Sequence, residues 1–147
     1  KLFVIGAPDL PGMPAVPRVR LKDLRALPLI LPSPSHGLRA LTDAAFARQR
    51  ITPRVQAEVD GLSLLMDAVR AGLGATIQPG AATARLPEGA VRSVLLADAL
   101  TGRRNLLASL SDDELSPAAL AARVVLADVA RALVRAGRWA GATLHKN

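Results

Sequence analysis

Residues 60–80 read DGLSLLMDAVRAGLGATIQPG, and this stretch decides the fold. Leu62, Leu65, Met66, Val69 and Leu73 recur at the spacing of one helical face. Asp60 stands where an N-cap belongs, with a carboxylate suited to first-turn amides. Gly72 and Gly74 end the helix, because helices commonly close on a residue with positive φ. Ala75 to Gln78 is a short apolar run stopped by Pro79-Gly80, which reads as a buried strand. A helix feeding directly into a buried strand is half of a β–α–β unit, and repetition of that unit builds a parallel sheet.

The repetition is present upstream. Ile51 to Val59 reads as extended, with Val55, Ala57 and Val59 alternating against Arg54, Gln56 and Glu58. Before it, Leu38, Leu41, Ala45 and Phe46 share a helical face, with Arg48 and Arg50 near the carboxyl end, where cations suit the helix dipole. Leu27 to Leu31 is continuously apolar, as in a strand buried on both faces, and stops at Pro32-Ser33-Pro34-Ser35. Leu21, Leu24 and Leu27 suggest a short helical turn, Pro8 to Pro17 a loop, and Leu2-Phe3-Val4-Ile5 a short buried strand. Downstream, Val91 to Ala97 and Asn105 to Leu110 read as two more strands, with a turn over 98–104 between them. Ser116 as N-cap and Pro117 at the first helical position open a last helix that stops at Gly137. Leu120, Val124, Leu126, Val129, Leu133 and Val134 make it apolar on more than one face, so it is expected to be buried on several sides or shared with a partner. The fold class is α/β, a mostly parallel sheet with helices on both faces.

Composition sets the bounds. At 147 residues, half of them hydrophobic, the chain has the size and content of one folded domain. It has no cysteine, which excludes disulfides, thiolate zinc sites and thiol catalysis and fits a reducing, cytoplasmic setting. No apolar run approaches the ~18 residues of a membrane span, and the run inside Lys1–Pro8 is too short for a signal peptide. The absence of an initiating Met leads us to expect a fragment of a longer protein. The net charge of +7 comes from cations in every segment, with no aromatic side chains interleaved to stack bases. Two readings stand: a solvated surface, or a field that attracts an anionic ligand.

Parallel α/β sheets bind ligands beyond the carboxyl ends of their strands. Three loops qualify: Pro32 to Gly37, Val59-Asp60-Gly61 and Ile77 to Gly80. The first two open helices, whose free N–H groups and dipole suit a carboxylate, and Ser33 and Ser35 add hydroxyl donors. Ser and Asp before a helix are equally explained as caps. His36 is either a titratable gate or a local hydrogen-bonding group. No catalytic constellation is present: there is no nucleophile elbow, and Ser35-His36 are adjacent in sequence, which precludes a nucleophile–base bond. Gly72-x-Gly74 meets Ile77 where a dinucleotide fingerprint needs its third glycine, and Asp112-Asp113-Glu114 reads as an acidic start to the last helix. No enzyme activity, cofactor or metal is expected.

Leu27 to Ser33, Ser35 to Arg39 and Ala68 to Pro79 together resemble the effector-binding domain of LysR-type transcriptional regulators. Leu2 to Asp9 is similar to the stretch where such chains cross from the first subdomain into the second. Ser116 to Ala119 and Gly137 to Ala142 are similar to the closing helix and tail. The resemblance implies a periplasmic-binding-protein-like fold (type 2) of two α/β subdomains. Residues 1–12 would be the crossing strand and hinge from subdomain I, 13–100 the effector-binding subdomain II, and 101–147 the returning segment of subdomain I. A small metabolite, an anion such as a carboxylate, would lie in the cleft against Ala7, Ser33, Pro34, Ser35, Val59, Asp60, Ile77, Gln78 and Pro79. The family acts as cytoplasmic dimers or tetramers that bind DNA through an N-terminal winged helix absent from this sequence, with no membrane partner. An incomplete cleft and an exposed apolar edge are then expected. A solute-binding receptor module of the same fold is the alternative.

Overall fold

A computed structural model of the chain describes residues 1–98, 101–102 and 104–145. Six strands are present among the described residues: β1 (Leu2–Gly6), β2 (Arg18–Val19), β3 (Leu29–Leu31), β4 (Val55–Glu58), β5 (Thr76–Pro79) and β6 (Arg92–Leu96). Three helices accompany them: α1 (Gly37–Arg48), α2 (Leu62–Arg70) and α3 (Pro117–Arg135). Short 3-10 turns cover Leu21–Leu24 and Gly80–Thr83.

The strands hydrogen-bond in the order β2-β6-β1-β5, with β3-β4 as a second ladder. The two ladders join where Ile30 N donates to Ala75 O (2.7 Å) and Ala75 N donates to Pro28 O (2.8 Å), a parallel bridge. The joined order is therefore β4-β3-β5-β1-β6-β2. β1 is antiparallel to both neighbours, while β2 with β6 and β3 with β4 are parallel. Five strands thus point one way and β1 alone runs against them, so the sheet is mostly parallel, as expected.

Alternation along the strands feeds two cores. Leu2, Val4, Leu29, Leu31, Ile77 and Val94 turn to the face that receives Leu38, Ala45 and Phe46 of α1. Ile5 and Ile30 turn to the other face, against Leu65, Met66 and Val69 of α2. Each fully buried side chain of this size contributes about 1.5–3 kcal/mol. Helices lie on both faces because successive strand residues supply each in turn. Gly74 keeps the α2–β5 connection tight: a Cβ there would come within 3.0 Å of both Ile30 Cγ1 and Pro28 O.

Four expectations need correction. Asp60 does not cap α2; the N-cap is Gly61 with no side-chain cap, and Asp60 is engaged elsewhere. Residues 105–110 form no strand, and Leu106, Leu107 and Leu110 are exposed, because no neighbouring strand meets their backbone groups. Leu62 and Leu73 overhang the core, so α2 buries a shorter stripe than its periodicity suggests. The acidic triplet does not serve the start of α3; Asp112 reaches Arg123 instead (2.6 Å). Ser116 does cap α3, accepting from Ala119 N at 3.2 Å, but α3 contains no buried residue. The turn expected over 98–104 falls partly outside the described residues, at 99, 100 and 103.

Candidate ligand-binding site

Because β3, β4 and β5 are adjacent and parallel, their carboxyl ends open at one edge. The loops that leave them surround a recess of about 290 Å³. Its apolar wall includes Pro32, Leu38, Leu62, Leu65, Pro79 and Trp139, and its polar groups are His36, Asp60, Gln78 and Asn105.

The β3–α1 loop is held from three sides. Asp60 Oδ1 accepts from Ser33 N (2.9 Å), tying the β4–α2 loop to the β3–α1 loop. Ser33 Oγ and Ser35 Oγ share a hydrogen bond of 2.8 Å. Arg39, on the first turn of α1, donates to Pro32 O (3.0 Å), Asp43 (2.8 Å) and Glu58 (2.6 Å). Glu58 first, then Asp43, raise the guanidinium's pKa, so the clamp stays charged. The Ser33 backbone N–H, followed by its hydroxyl, holds the Asp60 carboxyl below the usual Asp value, with nearby His36 adding a smaller pull. His36 caps α1, its Nδ1 accepting from Leu38 N at 3.2 Å. That occupies the ring in a structural role while leaving it at the rim.

Gln78 differs from these tied residues. It is 6% exposed, lines the recess, and makes no side-chain hydrogen bond among the described residues. Its amide atoms open into the recess, because Thr76 Oγ1 alone among the described side-chain atoms is both buried and unpartnered, and they can therefore meet a bound polar molecule. Thr76, two residues earlier on the same face of β5, is wholly buried with its Oγ1 also unpartnered.

The tail closes one side. Lys1 N donates to Gly141 O (3.0 Å). Gly80 and Gly141 admit this contact: a Cβ on Gly80 would lie 2.5 Å from Ala140 O, and one on Gly141 2.6 Å from the Phe3 ring.

Of the residues singled out from sequence, Asp60, Gln78 and Pro79 line the recess. Ser33, Pro34, Ser35 and Val59 sit in the loops at its rim, with Val59 N bonded to Leu31 O (2.9 Å). Ile77 is fully buried on the opposite face, under α1. Ala7 is buried beyond Gly6, which pairs with Arg92 at the start of β6, so it belongs to the other edge of the sheet. Trp139 and Asn105 were missed; both come from segments remote in sequence, and only a lone Trp beside two glycines hinted at docking. The described residues hold no group of three or more metal-ligating side chains, and none of their helices is long and apolar enough to cross a membrane.

A mostly parallel sheet with one reversed strand, helices on both faces and a recess at the strands' carboxyl edge define an α/β module of the periplasmic-binding-protein-like kind. The chain belongs to the LysR substrate binding domain family, whose model matches residues 1–131. It is 31% identical over 93 residues to the nitrogen assimilation regulatory protein nac of Escherichia coli (strain K12), covering 63% of this chain and 27% of that protein. Among solved structures it is similar to the effector binding domain of QuiR in complex with shikimate, with a TM-score of 0.65 and 23% identity over 90% of this chain and 62% of that one. It is also similar to the Synechocystis PCC6803 CcmR regulatory domain in complex with 2-PG, with a TM-score of 0.74 and 19% identity over 87% of this chain and 62% of that one. The chain thus spans about a quarter of the curated relative's length and under two thirds of these solved domains.

Proposed function

We propose that this chain is the effector-sensing part of a cytoplasmic transcriptional regulator, without enzymatic activity, and that a small metabolite in the recess changes how the whole protein engages its promoter. The carrying observation is Gln78: a nearly buried residue whose amide, without a hydrogen-bond partner among the described residues, faces a recess made from three strand-end loops. The effector is a small hydroxylated carboxylate. The first turn of α2 has no side-chain cap, so its N–H groups are free to bind a carboxylate. Asp60, ionised beside them, favours a ligand that also donates a hydroxyl. The relatives support this reading: one is a nitrogen assimilation regulator, and one similar domain is held with shikimate.

Within this reading the effector-binding subdomain takes in residues 1–12, expected from the sequence as a hinge from subdomain I, together with 13–100, because β1 lies between β5 and β6 of its sheet, and residues 101–147 belong to its partner subdomain. The exposed Val124, Val125 and Val129 of α3 support the assignment of 101–147, and support self-association as a dimer or tetramer. Sequence-specific DNA reading falls to another part of the protein. The test is a thermal-shift screen of hydroxylated organic acids against the full-length regulator, followed by induction assays. Gln78→Ala and Ser33→Ala are expected to weaken the response with promoter binding intact; normal induction in both variants would sink the site.

A further inference from the structure

All three helices close with the same paired bonds, but one does so at a cost. In α2 Gly72 N donates to Val69 O and Leu73 N to Ala68 O; in α3 Gly137 N donates to Val134 O and Arg138 N to Leu133 O. In α1 the equivalent bonds are Arg50 N to Ala47 O (2.9 Å) and Ile51 N to Phe46 O (3.1 Å). The left-handed residue is glycine in α2 (φ 74°) and α3 (φ 68°), but arginine in α1 (φ 55°). Arg50 is the one non-glycine residue at positive φ among the described residues. An L side chain is strained there, and glycine would relieve it. Strain kept at a solvent-facing position calls for a use of the side chain.

Arg50 has company. Arg48 and Arg54 flank it, and the segment carrying Arg20, Lys22 and Arg25 lies alongside. Two bridges hold the segments together. The Asp98 carboxylate accepts from Leu21 N (2.8 Å) and from Gln49 Nε2, and Leu29 N donates to Arg54 O (2.8 Å). All six cations are exposed, and none belongs to the ion pairs among the described residues, whose cations are Arg39, Arg70, Arg123 and Arg131. The acids on this face bind N–H groups and form no ion pair with these cations, Asp98 as above and Asp23 at Arg20 N (3.3 Å), and six cations against these two carboxylates leave the face positive. Arg18 joins Arg20 and Lys22 around a shallow depression. The recess sits at the amino end of α1 and this face at its carboxyl end, about 18 Å away along twelve residues.

The composition of the face selects its partner. Protein interfaces need a desolvated apolar or aromatic centre, and this face has no aromatic and, Val16 aside, no large exposed apolar side chain. Single-stranded nucleic acid needs stacking platforms, which are missing too. Unpaired arginines spread over two neighbouring segments match phosphates along a duplex. We propose that the face formed by Arg20, Lys22, Arg25, Arg48, Arg50 and Arg54 binds the phosphate backbone of duplex DNA without reading its sequence. This contact adds to any sequence reading done elsewhere in the protein and does not depend on what occupies the recess.

The test uses this 147-residue chain and a fluorescent duplex of arbitrary sequence, with anisotropy followed from low to physiological salt. Neutralising four or five phosphates gives a slope of log affinity on log salt of about −4. Arg48→Glu with Arg50→Glu is expected to abolish binding, and Arg135→Glu on α3 to leave it unchanged. Arg50→Gly is expected to reduce the slope by about one without lowering Tm, which a merely structural Arg50 would not do. A salt-independent signal, binding that survives the double charge reversal, or poly-aspartate competing as well as DNA at equal charge would each overturn the proposal. The last would point to an acidic protein partner.

Discussion

Replacing Gly80 by alanine tests how the tail is attached to the recess. The added Cβ would stand 2.5 Å from Ala140 O and 2.7 Å from Ala140 Cβ, well inside van der Waals contact. Left in place, such an overlap costs about 1–3 kcal/mol. Relief comes from moving either β5 or the tail. β5 lies between β3 and β1, and moving it breaks ladder bonds on both sides. The tail is held more lightly, chiefly by the Lys1–Gly141 bond, the Phe3 contact and a half-buried Trp139. The tail therefore leaves, at a cost near the lower end of that range, and Tm falls by about 3 °C for a domain of this size. Trp139 is the only tryptophan, so its emission reports the event directly: Gly80→Ala shifts it to the red and increases quenching by iodide. Adding Ala140→Gly does not rescue the variant, because the carbonyl oxygen is the nearer obstacle. Unchanged emission and quenching would refute the docked tail, and a Tm loss beyond about 10 °C would show that β5 had moved instead.

Asp60 gives a pH signature. Its carboxyl lies below the usual Asp value because the Ser33 N–H and hydroxyl favour the charged form. A depressed folded-state pKa contributes stability that is fully present above the unfolded value and is lost as pH falls through the folded value. An NMR titration should find an Asp60 midpoint below that of a free Asp, with the Ser33 amide shift following the same curve; Asp60→Asn should flatten that shift. For α3, changing Val124, Val125 and Val129 together to serine is expected to shift the chain to monomer in light scattering at micromolar concentration. A wild-type chain already monomeric there would refute the self-association argument.

The elements most legible in sequence were those whose evidence is local. The α2 stripe and the run before Pro79 carry their own periodicity, and the structure keeps the strand and the Leu65, Met66 and Val69 part of the stripe. The errors have a common physical source in partners distant along the chain. Asp60 looked like a cap because its neighbours are helical, yet the amide it serves belongs to Ser33, 27 residues earlier. Residues 105–110 have strand composition, but a strand also needs an edge to pair with. The place of Gln78 on the recess wall was legible because strand-end position follows from topology. That its amide would face the recess without a side-chain partner was not, since that depends on the α2 face and the tail together. The cations appeared scattered because the segments that carry them are brought together by Asp98, which joins Leu21 to Gln49 from a position far away in sequence.

The reversed strand β1 has a consequence for how the protein is made. Val4 is paired with Ile77 on one side and Val94 on the other. Its last partner leaves the ribosome about 90 residues after it does, which at 5–20 residues per second is roughly 5–20 s. Through that interval Leu2, Val4 and Ile5, all buried in the finished sheet, are apolar side chains on an unclaimed strand. Within this sheet the central strand is thus synthesised before all its partners and enclosed last, and for those seconds it is the strand of the sheet most in need of a chaperone.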